Sequence, residues 1–302
     1  MWKCNFCGKQ VRPPSDKCPY GKHDTGLPTN VVRASNDEPT LLKRFENSAR
    51  VSKDAARMLK AYKKIIGKNL AVSINIRPES LISLLYDDRV NYLNLHDNLR
   101  AGAISDVDRE LVSKRTAIDH GVFGPDGVSL RYGAVNFHTI GLYSYGAVCV
   151  FLKPKQIRNR VSFLEENSFS YMDSAGNLNV PPGSRALWHT APILAVVKHK
   201  DVLLARPRLT RDELAGLILS STGSKKTDRY IEAQVHPPIT RASIAEVIYS
   251  PSRHEPIKAK GIVGRVAEHN RVLAREYVSK SVGFLQDAIR LFLGGVKFTV
   301  VD

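Results

Sequence analysis

The order of apolar and polar residues changes character near residue 70. Between Asn36 and Lys68, apolar side chains recur at mixed three- and four-residue steps (Leu42, Phe45, Val51, Ala55, Met58, Tyr62, Ile65 and Ile66), the period of one helical face. The remaining face carries Arg44, Lys53, Arg57, Lys60, Lys63, Lys64 and Lys68, so the spacing predicts a basic amphipathic helix. Beyond Asn69, short apolar runs are separated by Gly, Pro and Asn clusters. LAVSINI (70–76), GAVNFHTI (133–140), GAVCVFLK (146–153), RVSFL (160–164), APILAVVK (191–198), YIEAQVH (230–236) and AEVIY (245–249) read as strands. LISLLYDD (81–88), RDELAGLIL (211–219) and the segment from Val263 to Leu293 read as helices, and a last strand, KFTVV, follows. In the last helix Val278, Val282, Leu285, Ile289 and Phe292 fall on one stripe, the pattern of a helix packed on a core. Many strands with helices mainly at the ends predict an α+β domain. Two long polar stretches, HGVFGPDGVSLRYG (120–133) and DSAGNLNVPPGS (173–184), are of the kind that line sites.

Charge sharpens the division. The chain has a formal net charge of +16, and residues 1–70 hold 15 Lys and Arg against 6 Asp and Glu, a balance of +9. Such clustering suits a phosphate-bearing partner, so nucleic acid is the expected one. At 302 residues and 43% hydrophobic composition, there is material for one sizeable domain with a small appendage. No apolar run approaches the roughly 20 residues of a membrane span.

The appendage is legible at the start. Cys4, Cys7, Cys18 and His23 form C-x2-C-x10-C-x4-H, with Gly8 and Gly21 close behind two of the ligands. Four N/S ligands on two short turns suit tetrahedral Zn2+, and a complete protein ligand set is that of a structural site. The remaining cysteine, Cys149, lies in the apolar run AVCVFL and reads as a core residue. With no secretory signal and no scattered even set of cysteines, a cytoplasmic protein without disulfides is expected. The expected division is a zinc knuckle over 1–30, a basic helical linker over 31–69, and a main domain with a C-terminal helix over 70–302.

In YIEAQVH, strand alternation places Tyr230, Glu232, Gln234 and His236 on one face and Ile231, Ala233 and Val235 on the other. A polar, ionisable face with an apolar back fits either a strand lining a cleft or an edge strand facing water. Arg158 and Arg160 are phosphate contacts or parts of a solvated turn, and His138, His189 and His199 are read as structural. The carboxylate cluster that a metal-dependent nuclease needs is not visible.

YGAVNF (132–137), YGAVCVFLKP (145–154), NRVSF (159–163) and above all DRYIEAQVHPPI (228–239) are similar to a bacterial domain family that carries YGALN, an FG-x-x-LRP-like strand, R-x-TF and DYIEAQVHGP in this order. That family resembles the ADP-ribosyltransferase superfamily, whose split α/β core carries an Arg or His on its first strand, a Ser/Thr or Tyr on its second and a Glu on a later one. The resemblance covers about residues 70–255 and implies a split mixed sheet with flanking helices. It implies that Arg77, in INIRPESLISLL, holds the phosphates of the substrate NAD and that Glu232 is the catalytic glutamate. Ser105, in AGAISD, takes the second position, or else caps the helix that follows. Tyr132, Asn136 and Gln234 are the further candidate NAD contacts, although Tyr132 and Asn136 also suit a core tyrosine and a turn asparagine. Tyr230 stands two residues before Glu232, where transferases acting on arginine carry another Glu, which argues against an arginine acceptor. The function implied is transfer of ADP-ribose to nucleic acid, RNA slightly before DNA, by a toxin or phage-defence effector held in check by an antitoxin or other inhibitor protein. A transferase acting on a protein, or a non-catalytic zinc-bearing nucleic-acid-binding protein, are the alternatives.

Overall fold

A computed structural model describes residues 2–3, 7–11, 18–22, 26–86, 91–102, 108–253, 283, 287 and 296–301. Two short paired strands, β1 (Trp2–Lys3) and β2 (Gln10–Val11), precede the helices α1 (Thr29–Ala49) and α2 (Lys53–Asn69). Then come β3 (Ala71–Ile76), α3 (Pro78–Tyr86), α4 (Leu95–Arg100), α5 (Arg109–Ile118), β4 (Arg131–Asn136), β5 (Val148–Leu152), α6 (Pro154–Ile157) and β6 (Val161–Leu164). The chain continues through β7 (Arg185–Leu187), α7 (Ala191–Lys198), α8 (Lys200–Ala205), α9 (Arg211–Ile218), β8 (Leu219–Ser220), β9 (Arg229–Tyr230), β10 (Glu232–Val235), β11 (Ile244–Tyr249) and β12 (Lys297–Val300).

The architecture is mixed α+β. Among the described residues, eight strands form one sheet in the order β12-β11-β5-β3-β4-β10-β6-β7. Every neighbouring pair is antiparallel except β11 and β12, which run parallel. Strand alternation gives the sheet two unlike faces. One carries Val72, Ile74, Ile76, Val135, Val150, Phe163, Ile231, Ala233 and Val235 into the main core, which α2 and α7 cover with Leu59, Tyr62, Ile66, Leu194 and Val197. The other face is rich in polar side chains and holds the candidate site.

Several elements depart from the pattern read in the sequence. The long basic helix is two helices broken at Arg50–Ser52, where Ser52 Oγ accepts from Ala55 N at 3.0 Å and caps α2. The buried stripe keeps its phase across the break: Leu41, Phe45, Ala55, Leu59, Tyr62 and Ile66 are buried, while Leu42, Val51 and Ile65 face solvent. Both helices contribute to the main core. The run APILAVVK, expected as a strand, is α7. It is buried from Ala191 to Val197, and an apolar run enclosed on all sides loses the periodicity that separates helix from strand. The stretch 120–133, expected as a loop, holds a π-turn at Asp119–Phe123 and a 3-10 turn at Pro125–Ser129 before β4. The helix expected over 263–293 lies outside the described residues, apart from the helical positions Gly283 and Asp287.

Gly133 is fixed by close approach between strands. A Cβ there would lie 2.4 Å from the Ser73 carbonyl oxygen, inside the β3–β4 pairing. Gly133→Ala is expected to destabilise the fold by roughly 1–3 kcal/mol, because the clash is with backbone rather than a movable side chain. Urea denaturation monitored by circular dichroism gives the value, and an unchanged midpoint would contradict this packing.

Candidate functional site

Register assembles the polar face. Ala134 on β4 stands opposite both Ser73 on β3 and Glu232 on β10, and Gln234 stands between Tyr132 on β4 and Ser162 on β6. Directly opposed residues of antiparallel strands share a face. Ser73, Tyr132, Ser162, Glu232 and Gln234 therefore project to the same side.

That side is roofed, so it is neither an open cleft wall nor a water-facing edge. Asn30, near the start of α1, donates through Nδ2 to Ser162 Oγ at 2.9 Å and to the Gln234 carbonyl at 3.1 Å. Ser168, in a short 3-10 turn, donates from its N and its Oγ to Glu232 Oε2, each at 3.2 Å. Gln234 Nε2 donates to Glu232 Oε1 at 3.0 Å, and Ser162 Oγ donates to Gln234 Oε1 at 3.0 Å. With only 3% of its surface exposed, Glu232 has both carboxylate oxygens held by donors. Burial pushes its pKa up, opposed by the Arg115 charge and by the donors on Gln234 and Ser168.

Arg115 is the buried cation of the cluster. Its Nη1 donates to Ser168 Oγ at 3.2 Å, completing a chain from guanidinium through hydroxyl to carboxylate. Its Nη2 lies 2.7 Å from Asp119 Oδ1, and its Cζ sits 3.6 Å from the centre of the Tyr132 ring. Tyr132 OH donates to Asp119 Oδ1 at 2.6 Å, and His96 Nε2 on α4 lies 2.7 Å from Asp119 Oδ2. Burial would lower the Arg115 pKa, but Tyr132, Asp119 and Glu232 outweigh it and hold the guanidinium charged. One buried cation thus serves two buried carboxylates. The same surroundings hold the Tyr132 phenol protonated, burial first and the two carboxylates after it.

Tyr230 is buried beside this group, its OH 3.3 Å from Tyr145 OH. Burial and then the Glu232 charge raise its pKa, so its phenol stays neutral.

The other candidates are dispersed. Arg77 is exposed immediately after β3, with β4 between its strand and β10; its charge reaches the half-buried Tyr92 phenol. Asn136 is fully buried at the far end of β4: Nδ2 donates to Ser73 Oγ at 2.9 Å and to the Thr139 carbonyl at 3.1 Å, while Oδ1 accepts from Thr139 N and Oγ1. These bonds make it a turn residue, and it does not join Glu232. Arg160 donates to the carbonyls of Gln156 and His236 and ties down its own turn. His138 and His189 meet Glu246 and Glu38, at 2.6 and 2.9 Å. Ser105 lies outside the described residues, and Asp108 is the residue that caps α5, accepting from Glu110 N at 2.9 Å.

Of the four knuckle residues, Cys4 and His23 also lie outside the described residues, and no group of three metal-ligating side chains occurs among the described ones. Cys7 Sγ and Cys18 Sγ stand 3.6 Å apart. Two thiolates on one tetrahedral Zn2+ at ~2.3 Å would be about 3.8 Å apart, so this pair fits the metal.

Arg115, Asp119, Ser168 and His96 are the residues that sequence reading missed. Arg115 and Asp119 carried a usable signal, opposite charges four residues apart on a helix; Ser168 and His96 carried none. No helix among the described residues is long and apolar enough to cross a membrane. No family model matches the chain, and no curated protein matches it in sequence.

Proposed function

We propose that the chain is an NAD-dependent ADP-ribosyltransferase whose acceptor is nucleic acid. One observation carries this reading: β3, β4 and β10, the strands associated with Arg77, Tyr132 and Glu232, are consecutive in the sheet. The resemblance implies an Arg or His on a first strand, a Ser/Thr or Tyr on a second and a Glu on a later one, and β3, β4 and β10 follow that order along the chain. Tyr132, on the second strand of the main sheet, takes the second position in place of Ser105. In this reading Arg77 grips the NAD phosphates with its planar fork. With Oε2 taken by Ser168 and Oε1 carrying one bond from Gln234, Oε1 is the oxygen left to accept from the 2′-hydroxyl of the nicotinamide ribose once the cover over Glu232 opens, and the carboxylate then stabilises the positive charge that develops as nicotinamide leaves. The C–N glycosidic bond breaks with its electron pair on nicotinamide, an acceptor lone pair forms the new bond to C1′, and the acceptor gives up its proton.

Acceptor choice rests on charge and on Tyr230. A neutral buried phenol two residues before Glu232 offers no base to a guanidinium, and the +16 chain attracts phosphates. Exposed Lys53, Arg57, Lys60, Lys63, Lys64 and Lys68 on α2 form a basic ridge for that partner. Zn2+ on Cys4, Cys7, Cys18 and His23 would serve structure alone. Metal analysis of the purified chain is expected to give one zinc per chain, lost in Cys7→Ser; zinc-free wild-type protein would remove the knuckle. An activity of this kind needs restraint in the cell, which an acidic antitoxin could supply.

The test is incubation of the purified chain with labelled NAD and, separately, RNA, single- and double-stranded DNA, and a lysate stripped of nucleic acid. Label on RNA or DNA supports the reading. Label on protein alone shifts the acceptor class, and intact NAD in every arm overturns the transferase.

A further inference from the structure

We infer that two loops beside Glu232, 141–146 and 221–229, form a docking platform for single-stranded nucleic acid. The inference rests on the nucleic-acid part of the reading above and adds where the acceptor strand lies.

The platform pairs aromatic rings with cations. Tyr145 is 38% exposed, and Lys225 Nζ lies 4.8 Å above the centre of its ring. Lys226 on the same loop and Arg229, where the loop enters β9, are exposed too. Tyr143 lies against that loop, where a Cβ at Gly223 would stand 3.0 Å from its ring. Asp228 is the one carboxylate in the two loops, and it is buried and occupied. It accepts from Ser221 Oγ at 3.1 Å, from Thr222 N at 2.7 Å and from Ser144 Oγ on the other loop. The exposed charge is therefore uniformly positive.

The platform is also built in advance. Asn75, on the polar face of β3, donates to the carbonyls of Ile140 and Gly146, both at 3.0 Å, and accepts from Leu142 N at 2.8 Å. Asp228 clamps the second loop to the first. Preorganised loops bind with less ordering cost. Their position is pertinent as well: Tyr145 OH touches Tyr230 OH, and Tyr230 stands two residues from Glu232. A base stacked on Tyr145 would thus lie next to the strand that carries the glutamate.

Rings beside exposed cations are what an unpaired strand needs, since its bases stack on aromatics and its phosphates follow the cations. A duplex hides its base faces, and an acidic protein surface would use the cations while leaving the ring unused.

The experiment is fluorescence anisotropy, without NAD, on single-stranded RNA and DNA 12-mers of one sequence, the matching duplex, and a 12-mer lacking bases. Tyr145→Ala is expected to weaken binding of both single strands about tenfold and to leave the baseless strand unaffected. Tyr145→Phe, which keeps the ring and loses the hydroxyl contact, is expected to stay within about twofold, which separates stacking from folding damage. Changing Lys225 and Lys226 together to Gln is expected to flatten the dependence of log K on log salt by about 1.4, two phosphate contacts at ~0.7 each. Equal binding by wild type, Tyr145→Ala and the double lysine variant, or equal loss of Tyr145→Ala on the baseless strand, overturns the platform. If Lys60→Gln with Lys64→Gln weakens binding while the platform variants do not, the platform fails and nucleic-acid binding stands. Binding of an acidic polypeptide in place of every oligonucleotide overturns both. Since NAD is absent throughout, failure of the transferase chemistry does not alter these results.

Discussion

Glu232→Gln is expected to cut transfer of label from NAD on the order of 10²–10³-fold while leaving the folded protein as stable as before, or more so, at neutral pH. The first half follows from its role: a neutral amide cannot offset the positive charge that grows at the ribose, and loss of one preorganised electrostatic contact in a buried site costs about that much. The second half follows from burial. Glu232 has a raised pKa in the folded state, so the native protein holds its proton more tightly than the unfolded chain does. The stability this supplies is fully present below the ordinary carboxyl range and is lost as pH rises through the raised folded value. At neutral pH, burying this carboxylate is therefore a net cost, which Gln removes while keeping a side chain of the same shape. Arg115 still has Asp119, and the new amide oxygen can go on accepting from Ser168, while its NH2 meets the Gln234 amide, which turns over to present its oxygen. A site that holds a charge at the expense of stability is one where function and stability pull apart. Thermal denaturation at pH 5 and pH 8, run beside the transfer assay, checks both halves. Normal transfer by Glu232→Gln would falsify the assignment of the glutamate. A large loss of stability at pH 8 would instead make it a structural anchor.

How much of this was legible in the chain depends on the range of the interaction. Strand alternation in YIEAQVH placed Glu232 and Gln234 opposite Ala233 and Val235, and the sheet keeps that division because period two is local to one strand. What covers the polar face was not local. Asn30 lies 204 positions from Gln234, and Ser168 lies 64 from Glu232, so no window of sequence contains both partners. The difference matters chemically, because the roof turns a strand with one water-facing carboxylate into a buried cluster with a perturbed one. Helix phase was legible only in part. Phe45, Ala55, Tyr62 and Ile66 are buried as their spacing predicts, but where apolar residues are neighbours in sequence, as in Leu41–Leu42 and Ile65–Ile66, spacing alone does not say which of the two faces the core. Asn136 read equally as a turn asparagine and as a ligand contact, because the two look the same until Thr139 is seen donating to its Oδ1.

The cluster's weight rests on Arg115, and Arg115→Met is expected to be the most damaging single change among its members, at about 3–5 kcal/mol. Removing one partner of a buried ionic group leaves the opposite charge desolvated and unpaired, and here one guanidinium answers two carboxylates. Asp119 is fully buried and loses its guanidinium partner, keeping His96 and the Tyr132 hydroxyl. Glu232 loses the charge that opposes its burial, so its folded pKa rises further. The sign of the pH dependence follows: the penalty is smaller at pH 5 than at pH 8, because protonating a carboxyl with a raised folded pKa restores stability. Arg115→Lys, which keeps the charge but not the fork that spans Ser168 and Asp119, should fall between Met and wild type. Pairing Arg115→Met with Asp119→Asn should recover part of the loss, since it removes one of the stranded charges along with its partner. Urea denaturation of the four proteins at both pH values measures these differences. A loss of less than about 1 kcal/mol for Arg115→Met would mean that the hydrogen-bond donors alone carry both carboxylates. Glu232 would then owe its position to Ser168 and Gln234, and the guanidinium stacked on Tyr132 would be dispensable to it.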